Sequence, residues 1–432
     1  MLKPYIPTGQ IITRRKELEN LLPKKSALIL LSNSIQYRSN DTEYKFHQNP
    51  NFWYLTGFNQ PKSIFVFLKN ADAQCFSYLF LEKPSPKEIV FSGDIPDFDQ
   101  IKELSQLDKV FESHQLIGFL ENELDEEYSV CLDTTSKDIK KIKVIKHILK
   151  NKNIETEDVN TVLKELRLIK SKWEISQMKT ALEITLQTHK YIQENISFYP
   201  FLKNEEKLNE CQLEAEILRN FQYQGADWAY CPIVASGKNS TILHYNQNND
   251  FFNSDDLILI DAGCQYNYYN SDITRTFCQK EMKTEQKEIY ELVESVQQKT
   301  IQYLKQNANK ISIKELDNFA VQHLSQGMIQ LGIFKKSLSE VIENKLYKIY
   351  YPHSISHFIG LDTHDLSQKE DYTLRKLEPG MVITVEPGLY FRNTDENSKK
   401  YQNIGVRIED NYLITDNSAI NLIDFEKEKI VF

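Results

Sequence analysis

The sequence predicts an α+β chain in two parts, a smaller α/β domain over residues 1–165 and a larger α+β domain over residues 166–432. Three observations predict it. Up to roughly residue 150, short apolar runs alternate with polar, helix-like stretches, the pattern of helices packed on a central sheet. Beyond Trp173 long helical patterns dominate, and strand patterns stand apart from them around 257–278 and after Met381. A chain of 432 residues is also too long for one ordinary core.

In order along the chain, Ala27–Leu31, Ile64–Leu68 and Phe76–Leu81 are apolar runs of strand length. A lysine-rich stretch from Lys140 to Lys152 leads into Val159–Lys170, which places the domain boundary near 165. From Trp173 to Ile196 the positions Ile175, Met178, Leu182, Leu186 and His189 recur every three or four residues, so this segment reads as an amphipathic helix. A second helix is expected from about Glu205 to Gln224, stopped by Gly225. Thr284 is placed to cap a third. Ser312-Ile313-Lys314-Glu315 matches the capping box that opens a fourth, with Gly332 at its end. Met381–Val385, Gly405–Ile408 and Tyr412–Thr415 then read as strands of a mostly antiparallel sheet, and no internal repeat is visible.

Composition narrows the function classes. Apolar residues make up 41% and charged residues 26%, as in a folded globular protein. The formal charge of -9, with Lys and Arg interspersed among Glu, argues against nucleic acid as a partner. No apolar run approaches the roughly 20 residues of a membrane span, and residues Met1–Pro7 hold no stretch of the length of a secretory signal. The six cysteines are scattered without Cys-x-x-Cys, which suggests neither a disulfide framework nor a thiolate metal site. A reducing cytoplasm is the expected location.

The chemistry gathers at strand ends. Leu257–Ile260 is a continuous apolar run that ends in Asp261-Ala262-Gly263, where a carboxylate is costly unless paired or bound to metal. Period-two alternation sends Asp272, Thr274 and Thr276 to one face. Met381–Val385 delivers Glu386 beside a Pro-Gly turn, and in Gly405–Glu409 the side chains of Arg407 and Glu409 face away from Val406 and Ile408. The segment Tyr351–Asp365 holds His353, His357 and His364, three of the nine histidines. Acids clustered in this way would have raised pKa values unless cations neutralise them, and a pair of divalent metals is the simplest resolution. Oxygen-rich donors with one imidazole favour Mn²⁺, with Co²⁺, Fe²⁺ and Zn²⁺ as alternatives. Two such metals can hold a hydroxide, polarise a carbonyl and stabilise a tetrahedral oxyanion, so the chemistry is hydrolysis.

The segments Leu259–Gly263, Asp272–Phe277, His353–Asp365, Glu378–Tyr390 and Gly405–Glu409 together resemble the signature of the pita-bread metallopeptidases, which include methionine aminopeptidase, prolidase and aminopeptidase P. Upstream, Arg38–Tyr44 and Asn51–Phe58 resemble the creatinase-like N-terminal domain of bacterial aminopeptidase P and its mitochondrial relatives. The resemblance implies that Asp261 chelates one metal, that Asp272 and Glu409 bridge both, and that His357 and Glu386 complete the other. It implies that Glu386 takes the proton of the nucleophilic water, and that His244 and His364 contact substrate and stabilise the intermediate. His353, Tyr390 and Arg407 match a pocket for the proline after the scissile bond, a ring that is rigid and has no N–H to satisfy.

Asp41 and Trp53 match positions at the substrate entrance, with core packing as the competing reading of Trp53. Ser354 departs from the family's usual Gly after the first histidine. The activity implied is release of the first residue from Xaa-Pro-Zaa peptides. The alternatives are a prolidase confined to Xaa-Pro dipeptides and a non-catalytic binding module, which the five filled ligand positions disfavour. A homodimer or homotetramer is the implied assembly.

Overall fold

The computed structural model describes residues 5–134, 136–196, 208–365, 370–393 and 396–424. The chain forms two compact units, Lys3–Arg167 and, from Leu168 onward, a larger one.

In the first unit, apolar runs become a six-stranded mixed sheet in the order Lys109–Glu112, Cys75–Leu81, Ser63–Lys69, Ser26–Leu31, Ser129–Leu132 and Thr156–Asp158. Ser26–Leu31 is buried along its whole length, as an uninterrupted apolar strand at a sheet centre should be. It pairs antiparallel with Ser63–Lys69 and parallel with Ser129–Leu132. The helix Pro50–Thr56 opens on Asn49, whose side chain accepts from the amides of Asn51 and Phe52, and closes on Gly57 at φ 62°. Trp53 on this helix is fully buried, so packing accounts for it. Asp41 lies exposed between the short strands Tyr37–Ser39 and Thr42–Glu43.

The second unit has two helix-on-sheet cores. In one, the helices Lys172–Asn195 and Glu210–Tyr223 supply Ala181, Ile184, Leu213, Ile217 and Phe221, which pack on Val234, Ile258 and Ile260. In the other, Thr284–Asn307 and Ile313–Gln330 supply Ile289, Val293, Leu316 and Leu324, which pack with Ile383, Val385, Leu389 and Val406. The helix expected from Glu205 begins at Glu210 on an Asn209 capping box; positions 205–207 lie outside the described residues. Thr284 is the first helical residue and not the cap, because Lys283 takes that place and its amide donates to the Gln286 side chain. Ser312 caps its helix as expected, and Gly332 follows that helix at φ 76°.

The mostly antiparallel sheet is divided. Among the described residues of this unit all strand pairs are antiparallel, but they form small separate sheets: Ile233–Ser236 with Leu257–Asp261 and Thr274–Cys278, Asp227–Trp228 with Cys264–Tyr266 and Tyr269–Asn270, Val382–Val385 with Asp410–Ile414 and Ala419–Asn421, and Gly388–Phe391 with Ile404–Arg407. Threonines bridge the breaks. The Thr276 hydroxyl donates to the carbonyl of Arg407 at 2.9 Å and accepts from its amide at 3.2 Å. Gly263, just after Asp261, has no room for a side chain, since a Cβ there would sit 1.8 Å from the carbonyl oxygen of Ser271.

His189 anchors the same turn from the helix above, its Nε2 donating to the carbonyl of Ala262 at 3.0 Å. Burial lowers this imidazole to about 4, so it is neutral at physiological pH. The unfolded chain binds a proton near pH 6.5 and the folded chain only near 4, so the stability contributed by neutral His189 is complete above about 6.5 and is lost as pH falls toward 4. Urea unfolding at a series of pH values should show His189→Gln losing less stability than the wild type across that window; parallel profiles would contradict the assignment.

Candidate metal centre

Each candidate ligand stands at or just beyond a strand end, where the pleat aims it and the backbone leaves space. Asp261 ends Leu257–Asp261, Asp272 precedes Thr274–Cys278, Glu386 follows Val382–Val385, and Glu409 lies between Ile404–Arg407 and Asp410–Ile414. His357 comes from a segment that runs beside the Glu386 strand: Thr384 N–H donates to His357 O at 3.0 Å, and Glu386 N–H donates to Ile355 O at 2.9 Å.

One ligand atom each from Asp272, His357 and Glu409 lies within 4.8 Å of the others, all three residues being buried or nearly so. Glu386 joins this group through His357, with its Oε1 3.5 Å from Nε2, the same separation as Asp272 Oδ2 from that nitrogen. His357 Nδ1–H faces the carbonyl of Phe358 at 3.0 Å, which directs the Nε2 lone pair into the centre. Asp261 is held at the edge. Its Oδ1 accepts from Tyr230 at 2.6 Å and its Oδ2 from Arg407 Nη2 at 2.5 Å.

Electrostatics and hydrogen bonding both fit a bound cation. Burial raises the carboxyls of Asp261, Glu386 and Glu409, that of Glu386 to about 7, with Asp272 adding repulsion at each. Burial would lower His357, but Asp272 and Glu386 outweigh it and hold the imidazole near 9. Glu409 Oε2 accepts from the Thr274 hydroxyl at 2.8 Å, whereas its buried Oε1 has no hydrogen-bond partner. An orphaned carboxylate oxygen beside an imidazole nitrogen and a second acid is a donor set for a divalent metal, which would take the place of the Nε2 proton and restore the ionised form of every acid around it.

The other sequence-level candidates fall into two groups. His353, Tyr390 and Arg407 form one hydrogen-bonded wall: Arg407 Nη1 donates to Tyr390 Oη at 2.8 Å, and Tyr390 Oη lies 2.9 Å from His353 Nε2. His353 Nδ1 faces the carbonyl of Ser354 at 2.8 Å, so Nε2 is the acceptor of the tyrosine hydroxyl. Burial lowers His353 to about 3, with Arg407 adding to the shift. Ser354 is not among the non-glycine residues with positive φ, so the usual Gly is not required here. His364 meets His357 edge-on with centroids 4.5 Å apart, and His244 is exposed nearby, close enough for its charge to bear on His353 and His364.

Three features were not found from the sequence. Tyr230 donates to Asp261 and makes a very short contact with Asp272, so one hydroxyl spans two acids. The signal lies in the register, since Ile233 pairs with Asp261 and Tyr230 is three residues before it. Thr274 accepts from Arg407 Nε at 3.0 Å while donating to Glu409. A buried Lys170–Asp365 ion pair of 3.3 Å, each side chain 1% exposed, pins the residue that follows His364.

Residues 176–416 match the model of metallopeptidase family M24, and residues 11–131 match that of the aminopeptidase P N-terminal domain. The chain is similar to the Xaa-Pro aminopeptidase of Escherichia coli (strain K12), 34% identical over 96% of this chain and 94% of that protein. It is also similar to human Xaa-Pro aminopeptidase 3, 30% identical over 97% of this chain and 84% of the relative. Among solved structures, the E. coli aminopeptidase P with the inhibitor Pro-Leu superposes with a TM-score of 0.87 at 32% identity, covering 98% of this chain and 97% of that one. The proline aminopeptidase P II of Yersinia pestis superposes with a TM-score of 0.87 at 30% identity, over 97% and 96% of the two chains.

Arg407 places one nitrogen on each of Thr274, Tyr390 and Asp261, and its partner Asp261 is 13% exposed. Arg407→Ala leaves that carboxylate buried without its cation and should destabilise the metal-free protein by about 3–5 kcal/mol. Urea unfolding measures this, and a loss below about 1 kcal/mol would mean that the pair contributes no more than a surface ion pair.

Proposed function

The chain belongs to metallopeptidase family M24, and on that premise we propose that it is a metallo-aminopeptidase releasing the N-terminal residue from peptides with proline in second position. The observation that carries the proposal is the juxtaposition of the Asp272–His357–Glu409 cluster with the His353–Tyr390–Arg407 wall. Near-full-length similarity to Xaa-Pro aminopeptidases favours this reading over a prolidase.

Asp261, Asp272, His357, Glu386 and Glu409 are the proposed metal ligands. Four carboxylates carry more negative charge than one divalent ion balances, which supports a pair, and the oxygen-rich donor set supports Mn²⁺. Bound there, the metals supply an acidified water and a positive field for a developing oxyanion. The remaining chemistry belongs to the chain. Glu386 borders both His357 and His353 and is the proposed acceptor of the water's proton. His244 and His364 are proposed to steady the carbonyl under attack.

The wall suits proline because its polar atoms answer one another. Tyr390 Oη is engaged by Arg407 and His353, so a residue without an N–H beside this wall leaves none of its polar atoms unanswered. Cytoplasmic location is supported by six cysteines that are all unpaired. No helix among the described residues is long and apolar enough to cross a membrane. A homodimer or homotetramer is supported by the resemblance noted in the sequence, and light scattering should find one of them.

Metal-stripped protein should release the first residue of an Xaa-Pro-Zaa tripeptide only after Mn²⁺ is restored. Cleavage confined to the Xaa-Pro dipeptide would make it a prolidase, and no turnover with any divalent metal would remove the enzymatic reading. Asp272→Asn should keep the far-ultraviolet spectrum of the wild type and lose at least about a hundredfold in metal-dependent kcat/KM; near-wild-type turnover would remove Asp272 from the centre.

A further inference from the structure

A fully buried carboxylate outside the metal centre is held by five neutral donors. Glu210 is the first residue of the helix Glu210–Tyr223 and is 0% exposed. Its Oε1 accepts from the amide of Ser236 at 2.9 Å, from the Ser236 hydroxyl at 3.0 Å and from Asn239 Nδ2 at 3.1 Å. Its Oε2 accepts from the Tyr245 hydroxyl at 2.7 Å and from the amide of Asp250 at 2.9 Å. A buried charge is tolerated only when its lone pairs are answered, and these donors answer both oxygens. The start of a helix also favours an anion.

All of these donors lie in one segment, 236–250, so a single side chain ties that loop at Ser236, Asn239, Tyr245 and Asp250. His244 sits inside it, and both of its chain neighbours are anchored. Tyr245 is 7% exposed and packs with Ile233, Ala235, Leu259 and Tyr390, and Leu243 lies against the same cluster. The loop is also set against the strand of Arg407: Ser240 Oγ accepts from the amide of Gly405 at 2.9 Å, and a Cβ on Gly405 would come within 2.0 Å of the Ser240 carbonyl oxygen. His244 itself is exposed. An exposed imidazole on a loop takes its place from whatever holds the loop, and here that is Glu210.

We propose that Glu210 is a positioning residue for His244: its carboxylate, chiefly through the Tyr245 hydroxyl, holds the loop so that the imidazole stays where it can steady the carbonyl under attack. The inference rests on the role proposed for His244 and adds to it a group that bonds to none of the metal ligands.

The test uses the metal-loaded full chain and the tripeptide Ala-Pro-Ala. Tyr245→Phe keeps the ring in its cluster and removes one bond to Glu210. It should lower kcat about tenfold with KM little changed, as the misplacement of a group that acts in the transition state does. Glu210→Gln should cost more, because whichever oxygen becomes an amino group then meets a backbone N–H, of Ser236 or of Asp250, that cannot turn to accept. In a His244→Ala background Tyr245→Phe should cost less than about twofold, and in the His244 protein it should leave the affinity for Mn²⁺ within about twofold, as for sites that share no partner. Amide exchange followed by mass spectrometry, which needs no turnover, should quicken in Tyr245→Phe across 237–250 and stay as in the wild type across 381–386 and 404–409. Equal kcat losses in the two backgrounds, weakened metal binding, or unchanged exchange across 237–250 would each overturn the proposal while leaving the role of His244 intact. Wild-type kcat in His244→Ala would instead remove that role, and the proposal with it.

Discussion

Four carboxylates gather around one centre, and their mutual repulsion is the constraint around which the second unit is built. Asp261, Asp272, Glu386 and Glu409 come from four different strand ends, so the chain must hold like charges together against burial that raises the acids. Each is met by a specific donor. Tyr230 serves both Asp261 and Asp272, Arg407 serves Asp261, Thr274 serves Glu409, and the Thr384 hydroxyl serves Glu386 at 3.4 Å. What these donors leave over is concentrated at Glu409 Oε1 and His357 Nε2, where a divalent cation fits in place of the imidazole proton.

Arg407 connects this electrostatic problem to the His353–Tyr390 wall. One guanidinium reaches an acid of the centre, the threonine that positions Glu409, and the tyrosine of the proline wall. A lysine has no planar fork to divide in this way. Strand geometry allows it because Val406 and Ile408 turn into the hydrophobic core while Arg407 turns toward the acids. The acids and the His353–Tyr390 wall are therefore coupled through one side chain.

Much of this was legible in the sequence, for reasons that can be named. Apolar runs that end in acids at Asp261 and Glu386 announce buried carboxylates, because an apolar strand leaves nowhere wet for its terminus to go. Alternation around Arg407 and Glu409 predicts a shared face, and Ser312 with Glu315 predicts a helix start from chemistry three residues apart. The Thr284 cap failed because Thr284 is already helical, and the preceding residue, Lys283, holds the cap position with its amide bonded to the Gln286 side chain. The expected sheet is several short sheets because threonine hydroxyls, and not ladder amides alone, join the strands, and a run of apolar residues carries no sign of where its ladder stops.

By itself the sequence determined the class of chemistry: local patterns of strand, turn and acid are one-dimensional, and a fixed set of them recurs with one histidine-rich segment. Tertiary structure decided the partners. That Tyr230 spans Asp261 and Asp272, and that Lys170 neutralises Asp365 across 195 positions, are properties of distance, and distance between residues far apart in the chain is set by packing and not by local pattern.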